Sequence, residues 1–393
     1  MLFNSLDYFV FLPIVIGLYI AVPRPFRWLL ILCAGYFFYA YWRVEYTLLI
    51  VFSTLVDYTA GRVMGASSSA QTRKVILLVS LGINIGLLSF FKYFNFLSDS
   101  IGWLLTASGT HVLVPHRAIV LPVGLSFYTF QSMAYTIEVY RRKVEPETHL
   151  GRYAEYVVFF PQLVAGPIER PSHLLPQLRG AFDITWENLS AGVQRILLGI
   201  FKKVVVADRL ALFVNNVYAS PQQFNGPPLF LATLFFAVQI YCDFSGYSDI
   251  AIGSARIFGV RLIENFERPY LSKSIGEFWS RWHIALSTWF RDYVYIPLGG
   301  NRAARPRVLF NLFVTFLISG LWHGASWTFV IWGAYHGLLV SLERLLPVLG
   351  RTPRTLAMKL VRGAMSFALV LVGWVFFRAR SLGDALFILG HLG

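Results

Sequence analysis

A histidine in a stretch otherwise fit for lipid is the first place to look for chemistry. His323 follows residues 308–322, which as helix reach roughly 22 Å, short of the roughly 30 Å hydrocarbon core of a bilayer. Gly324, Ala325 and Ser326 come next and are small enough to turn, so the chain is expected to break there, at membrane depth. Non-helical backbone survives at that depth only when buried in protein or lining a wet cavity. His323 is therefore expected to face such a cavity. A titratable ring held there is a functional candidate by default, because both ring nitrogens must be satisfied by protein or water. The alternative is a packing histidine bonded to a neighbouring helix.

A second concentration of polar groups lies in QIYCDFSGYSDIAIG, residues 239–253. It places Gln239, Tyr241, Asp243, Ser245, Tyr247, Ser248 and Asp249 at membrane depth, where they need a shared wet or hydrogen-bonded environment. Asp243 and Asp249 stand about 240° apart around a helix, so a paired-carboxylate acid and base is not expected. Residues 121–137, LPVGLSFYTFQSMAYTI, carry a polar seam of Ser126, Tyr128, Thr129, Gln131 and Ser132 that must point into the bundle. Asp57, Lys92 and Tyr93 sit within or at the ends of spans and read as snorkelling or interhelical hydrogen bonding.

The elements that position these groups follow from hydropathy. Spans are expected over residues 8–22, 28–42, 46–64, 75–97 and 118–140. From 145 to 187 the periodicity is lost and four prolines enter while the stretch stays apolar, which suggests a short re-entrant or interfacial segment. Residues 196–218 carry Lys202, Lys203, Asp208 and Arg209 in their middle, so they either lie amphipathically in the interface or pack in the interior. A long run follows over 228–260.

Within the basic stretch 261–307, Trp279, Trp282, Leu286, Trp289 and Tyr293 recur at three-to-four-residue spacing and predict one amphipathic interfacial helix. His283 there reads as a surface or interfacial histidine rather than a ligand. His336, 13 residues beyond His323, is not expected to touch it. A last span is expected near 364–377.

Composition bounds the class. With 56% hydrophobic and 14% charged residues, 35 Phe, 20 Tyr and 11 Trp, the chain is an all-α polytopic membrane protein rather than a soluble domain. Its 34 Lys and Arg against 20 Asp and Glu fall in short clusters between apolar runs, a topological signature and not a nucleic-acid stripe. The clusters after the first, third and fifth spans place those loops in the cytoplasm and the N-terminus outside. The densest cluster, 261–307, is cytoplasmic by the same rule. Cys33 and Cys242 lie in apolar segments without metal-type spacing, so neither a disulfide framework nor a metal site is indicated. The first span lacks a basic leader and a cleavage site and reads as retained.

Taken together, MLFNSLDYFVFLPIV, FSTLVDYTAGR, FFPQLVAGPIERP, YCDFSGYSDIAIG, NFERPYLSKSIGEFWSRWHIALSTWFRDYVYIPLGGNR, LWHGASWTFVIWGAYHG and GWVFFRA resemble the membrane-bound O-acyltransferase family, specifically its bacterial alginate O-acetylation branch. The resemblance implies one domain over 1–393, a bundle of transmembrane, re-entrant and interfacial helices around a central tunnel. It puts the catalytic histidine in the LWHG block, at His323. Asn265, Arg268, Trp282 and His283 become supporting candidates, with Tyr241 and Asp243 of the preceding polar block.

The same resemblance implies acetyl transfer from a cytoplasmic thioester such as acetyl-CoA toward an exported polysaccharide or an acyl-relay protein, in a bacterial inner membrane. The rivals are D-alanyl transfer to a cell-wall polymer, a transporter or flippase for a lipid-linked saccharide, and a structural scaffold. Family members usually continue for further spans beyond the FFRA block, whereas this sequence stops at Gly393, so a short member and a truncated one are both open.

Overall fold

The computed structural model describes residues 1–110, 114–164, 166–180, 183–346 and 355–393. Among them every regular element is helical, apart from one isolated bridge between Phe266 and Trp282. The all-α expectation holds. Val44–Ala66, Ala70–Ala107, Pro227–Ile257 and Leu356–Arg378 are each long and apolar enough to cross a membrane, and Leu6–Ala21 is a shorter apolar helix. The described residues form two compact units, Met1–Leu197 with Asp249–Ile263, and Leu198–Ser248 with Glu264–Gly393.

In the first unit, α1 (Leu6–Ala21), α2 (Arg27–Ala40) and α3 (Thr47–Ala66) fall close to the expected spans. The next helix, α4 (Ala70–Ala107), has 38 residues, about 57 Å of helix, and outruns its expected 75–97 at both ends. Its start is fixed by Ser69, whose hydroxyl accepts from the Thr72 amide. The fifth helix, α5 (Leu125–Tyr140), starts later than the expected 118. Gly124 explains the delay: it takes φ +77°, and a Cβ there would stand 2.6 Å from the Leu163 carbonyl oxygen.

Interhelical hydrogen bonding is what Asp57 does. It accepts from Ser80 Oγ at 2.6 Å and from Asn84 Nδ2 at 2.9 and 3.1 Å, linking α3 to α4. Tyr128, Thr129, Gln131 and Ser132 of the polar seam are buried, and Gln131 Nε2 donates to the Tyr156 carbonyl at 2.6 Å. The stretch 145–187 folds as α6 (Leu150–Val158), a buried apolar link through Phe159, Phe160, Leu163 and Ile168, and α7 (Pro171–Leu178). These four residues of the link are buried within this unit.

A further helix, α8 (Trp186–Ile200), runs into a wider π-helical turn, Phe201–Ala207, and then into α9 (Asp208–Ala219). Here Lys203 turns inward while Phe201, Val205 and Leu212 are exposed. Of the four polar residues in the middle of 196–218, Lys203 packs inward, whereas the Asp208 side chain is 43% exposed and Arg209 is exposed. The long α10 (Pro227–Ile257) carries the 239–253 block. Its two carboxylates do diverge: Asp243 pairs with Lys203 at 2.5 Å and Asp249 with Arg195 at 2.6 Å.

The expected single amphipathic helix over 279–293 is not present. The chain forms α11 (Ile275–Arg281), breaks at Trp282 and His283, and resumes as α12 (Ile284–Phe290) followed by a π-helical turn, Arg291–Tyr295. His283 sits at the break with φ +44°, which no helix accommodates. Beyond it, α13 (Arg305–His323) and α14 (Trp327–Leu345) form a hairpin, followed by α15 (Leu356–Arg378) and α16 (Leu382–Gly390). The hairpin is close because glycines face each other: a Cβ on Gly333 would lie 2.6 Å from the Phe316 carbonyl oxygen, and one on Gly337 3.1 Å from Phe313 Cα. The core of this unit joins Trp282 of the break to Trp332 of α14 and Trp374 of α15.

Candidate active site

His323 is the last residue of α13, and the helix ends there as expected. Gly324 is extended at φ −161°, which any residue can adopt; what it supplies is room, because a Cβ at that position would collide with the Phe329 ring. Ser326 then opens α14, its hydroxyl accepting from the Thr328 amide at 3.3 Å. The turn thus holds a half-buried imidazole at the tip of a hairpin.

Aromatic rings meet that imidazole edge-on. Trp322 and Trp332 lie 5.0 Å away between ring centres and Phe377 lies 5.3 Å away, at interplanar angles of 80°, 81° and 72°. Trp374 extends the wall, 6.4 Å from Trp332 and 4.9 Å from Trp282. These walls come from α14 and α15, on which Trp332 and His336 are four apart and Trp374 and Phe377 three apart, so each pair shares one helix face. Sequence reasoning did not single out Trp332, Trp374 or Phe377, although that spacing is legible in it.

His283 is 2% exposed, so the surface or interfacial reading of it is overturned. Asn265 explains how the chain can turn there. Its carbonyl oxygen accepts from the Ile284 amide at 3.0 Å, and its side-chain oxygen accepts from the Ala285 amide at 3.2 Å, capping α12 from a distant loop. The same side-chain oxygen accepts a hydrogen bond from His283 Nδ1 at 3.2 Å, and Asn265 Nδ2 donates to Ser248 Oγ at 3.1 Å. Because the Ala285 amide identifies that side-chain atom as an acceptor, Nδ1 carries the proton and His283 Nε2 keeps its lone pair.

Burial pulls the His283 imidazole well below its ordinary pKa, and the charge of nearby His323 pulls it the same way. Among the described residues His283 Nε2 and Trp332 Nε1 are buried without a hydrogen-bond partner. Such atoms cost free energy unless something completes them.

Other candidates divide. Trp282, 3% exposed, packs in the same wall, with Phe266 at 5.0 Å and Tyr241 at 6.3 Å. Tyr241 is thus one ring removed from the box. Arg268 is exposed at φ +46°, ahead of Pro269, and is not brought to the imidazoles. Asp243 is committed to Lys203. His336, fully buried, accepts from Trp279 Nε1 at 3.4 Å and lies 5.1 Å from Trp332, so one indole stands against both His323 and His336.

Beside this cluster a cavity of ≈ 360 Å³ opens between α11, α12 and α13, lined by Trp279, Ser287, Thr288, Leu312, Thr315 and Phe316. Among the described residues no group of three His, Cys, Asp or Glu side chains converges as a metal site would require.

The family model described as MBOAT, membrane-bound O-acyltransferase family, matches residues 83–383. A probable alginate O-acetylase of Pseudomonas putida is 42% identical over 375 residues, 95% of this chain and 76% of that protein. A peptidoglycan O-acetyltransferase of Helicobacter pylori is 34% identical over 423 residues, 99% of this chain and 79% of that protein. A teichoic acid D-alanyltransferase of Bacillus subtilis is 29% identical over 240 residues, 58% of this chain and 60% of that protein.

Proposed function

This chain belongs to the membrane-bound O-acyltransferase family, and we propose that it moves acetyl from a thioester donor to a hydroxyl of an exported polysaccharide, directly or through a relay protein, with His323 as general base. The observation that carries the reading is the placement of His323 at the tip of a tight hairpin, half-exposed inside an aromatic box whose buried unsatisfied nitrogens include His283 Nε2 and Trp332 Nε1. A substrate that completes those hydrogen bonds is what such a site lacks.

In this mechanism the neutral His323 imidazole takes the proton of the attacking hydroxyl, whose oxygen forms a bond to the thioester carbonyl carbon. Collapse of the tetrahedral intermediate breaks the carbon–sulfur bond, and the imidazolium returns the proton to the departing thiolate. His283 Nε2, an acceptor locked by Asn265, is suited to orienting the hydroxyl. Trp332 Nε1, a donor, is suited to the developing oxyanion. Trp282 supports the box as a packing wall, Tyr241 stands behind it, and Arg268 and Asp243 have no part in this mechanism.

The donor is acetyl-CoA, reaching the site from the cytoplasm, where the basic 261–307 stretch attracts its phosphates. The cavity beside Trp279 gives the donor room near the histidines. The chain lies in a bacterial inner membrane with its N-terminus outside. Both O-acetyl-transferring relatives cover nearly the whole chain, whereas the D-alanyl-transferring one covers 58% at lower identity, which supports acetyl over D-alanyl.

Membranes carrying the chain and given acetyl-labelled CoA are expected to place label on polysaccharide as an alkali-labile ester. Saccharide crossing the membrane with no loss of acetyl from the donor would instead support the transporter reading.

A further inference from the structure

Around the turn that joins α1 to α2, three guanidinium groups line a shallow depression of the first unit. Arg24, Arg27 and Arg152 surround it above Tyr19, Trp28 and Phe258. Two of them are braced by aromatic faces: Arg27 lies 4.8 Å over the Tyr19 ring and Arg152 5.5 Å over the Trp28 ring. Arg24 and Arg27 grip one carboxylate together. Arg27 Nη1 donates to Asp183 Oδ1 at 2.9 Å, while Arg24 donates through Nε to Oδ1 at 3.3 Å and through Nη2 to Oδ2. These contacts hold the Asp183 carboxyl at about 2.

The charges do not balance. The acidic neighbour of Arg152 is Glu155, 3.1 Å away and 3% exposed, and burial pushes its carboxyl up to about 8 against the pull of Arg152. Three guanidinium groups thus face one exposed carboxylate and one buried carboxyl that burial favours in its neutral form. The N-terminus of α2, which begins at Arg27, has no side-chain cap and adds its own partial positive charge.

Asp183 is an exchangeable occupant. It and Arg24 are 51% and 64% exposed, and ion pairs that open to water contribute little. The turn also joins two helices that hydropathy reads as spans, which would put it at the edge of the membrane, where phospholipid phosphates sit.

We propose that this depression is a phosphate site, filled by the headgroup of an anionic phospholipid, and that Asp183 is the internal carboxylate which that phosphate displaces. A phosphodiester supplies two acceptor oxygens in the spacing a guanidinium fork matches. The acyl chains then run along the apolar sides of α1 and α2. A soluble phosphate could meet the same guanidinium groups, and the test separates the two sources.

Native mass spectrometry of the full chain in detergent would be titrated with dioleoylphosphatidylglycerol, with dioleoylphosphatidylcholine, and separately with inorganic phosphate. Arg24→Gln and Arg27→Gln are each expected to weaken phosphatidylglycerol binding by about tenfold. Asp183→Asn is expected to tighten it, and the exposed Lys143→Gln to leave it unchanged. Thermal unfolding checks that the variants remain folded, and the exposed Arg24 keeps the test valid if Arg27→Gln does not. Inorganic phosphate that binds with the same variant dependence, while phosphatidylglycerol binds no better than phosphatidylcholine, would keep the phosphate site and overturn the lipid source. Equal phosphatidylglycerol binding by wild type and all variants would overturn the proposal.

Discussion

Gly333 offers the sharpest test of whether the α13–α14 hairpin is what positions His323. In Gly333→Ala the new Cβ would stand 2.6 Å from the Phe316 carbonyl oxygen, against an ordinary contact of 3.4 Å or more, so the helices must part by about 0.8 Å. The obstruction is backbone on a facing helix, and no flexible side chain can move aside to relieve it. Overpacking of this kind costs roughly 1–3 kcal/mol of stability. The same opening carries His323 away from Trp332, and a misplacement of about 1 Å costs on the order of 100-fold in rate.

The assay is acetyl transfer per folded molecule in detergent or membranes, read beside thermal unfolding. Gly82→Ala is the control, because nothing lies within 4 Å of a Cβ there. The expected result is a severalfold to 100-fold fall in turnover for Gly333→Ala and none for Gly82→Ala. Wild-type turnover by a folded Gly333→Ala would refute the claim that close helix approach sets the catalytic geometry.

Other perturbations separate chemistry from scaffold. Asn265→Ala removes the cap of Ala285, the partner of His283 Nδ1 and a bond to Ser248, and is expected to cost about 2–4 kcal/mol in denaturant unfolding together with most of the activity. Because burial lowers the folded-state pKa of His283, the unfolded chain binds more protons as pH falls below about 6.5. Wild type should therefore lose up to about 1.4 kcal/mol of stability per pH unit there relative to His283→Gln, and parallel pH profiles would contradict the neutral assignment. Asp57→Ala orphans Ser80 Oγ and leaves Asn84 Nδ2 only the Ser80 carbonyl, so unfolding should shift by about 2–4 kcal/mol while turnover per folded molecule is retained; selective loss of turnover would give Asp57 a functional role.

What the sequence made legible was governed by local composition. Apolar runs over 8–22, 28–42 and 46–64 needed only hydropathy to be placed, and the break after His323 needed only span length and the small residues that follow. Hydropathy does not say where a long helix stops outside lipid, which is why α4 exceeds its expected bounds. Over 279–293 the periodicity of Trp279, Trp282, Leu286, Trp289 and Tyr293 continues across a backbone break. That break is held from Asn265, so no local signal at His283 reveals it.

Burial of His283 was missed for the same reason, since its partners come from distant parts of the chain. The aromatic box has the same character. Trp332 and Phe377 meet His323 because α14 and α15 pack there, and their one local trace is helical spacing.

The most direct test of the central claim is transfer of labelled acetyl from acetyl-CoA by wild type, His323→Ala and His323→Gln, at matched amounts of folded protein and in the presence of the acceptor. Both variants are expected to lose about 100-fold or more of the transfer while unfolding at the wild-type temperature. Transfer equal to wild type by either folded variant would contradict it and remove His323 from the proton path.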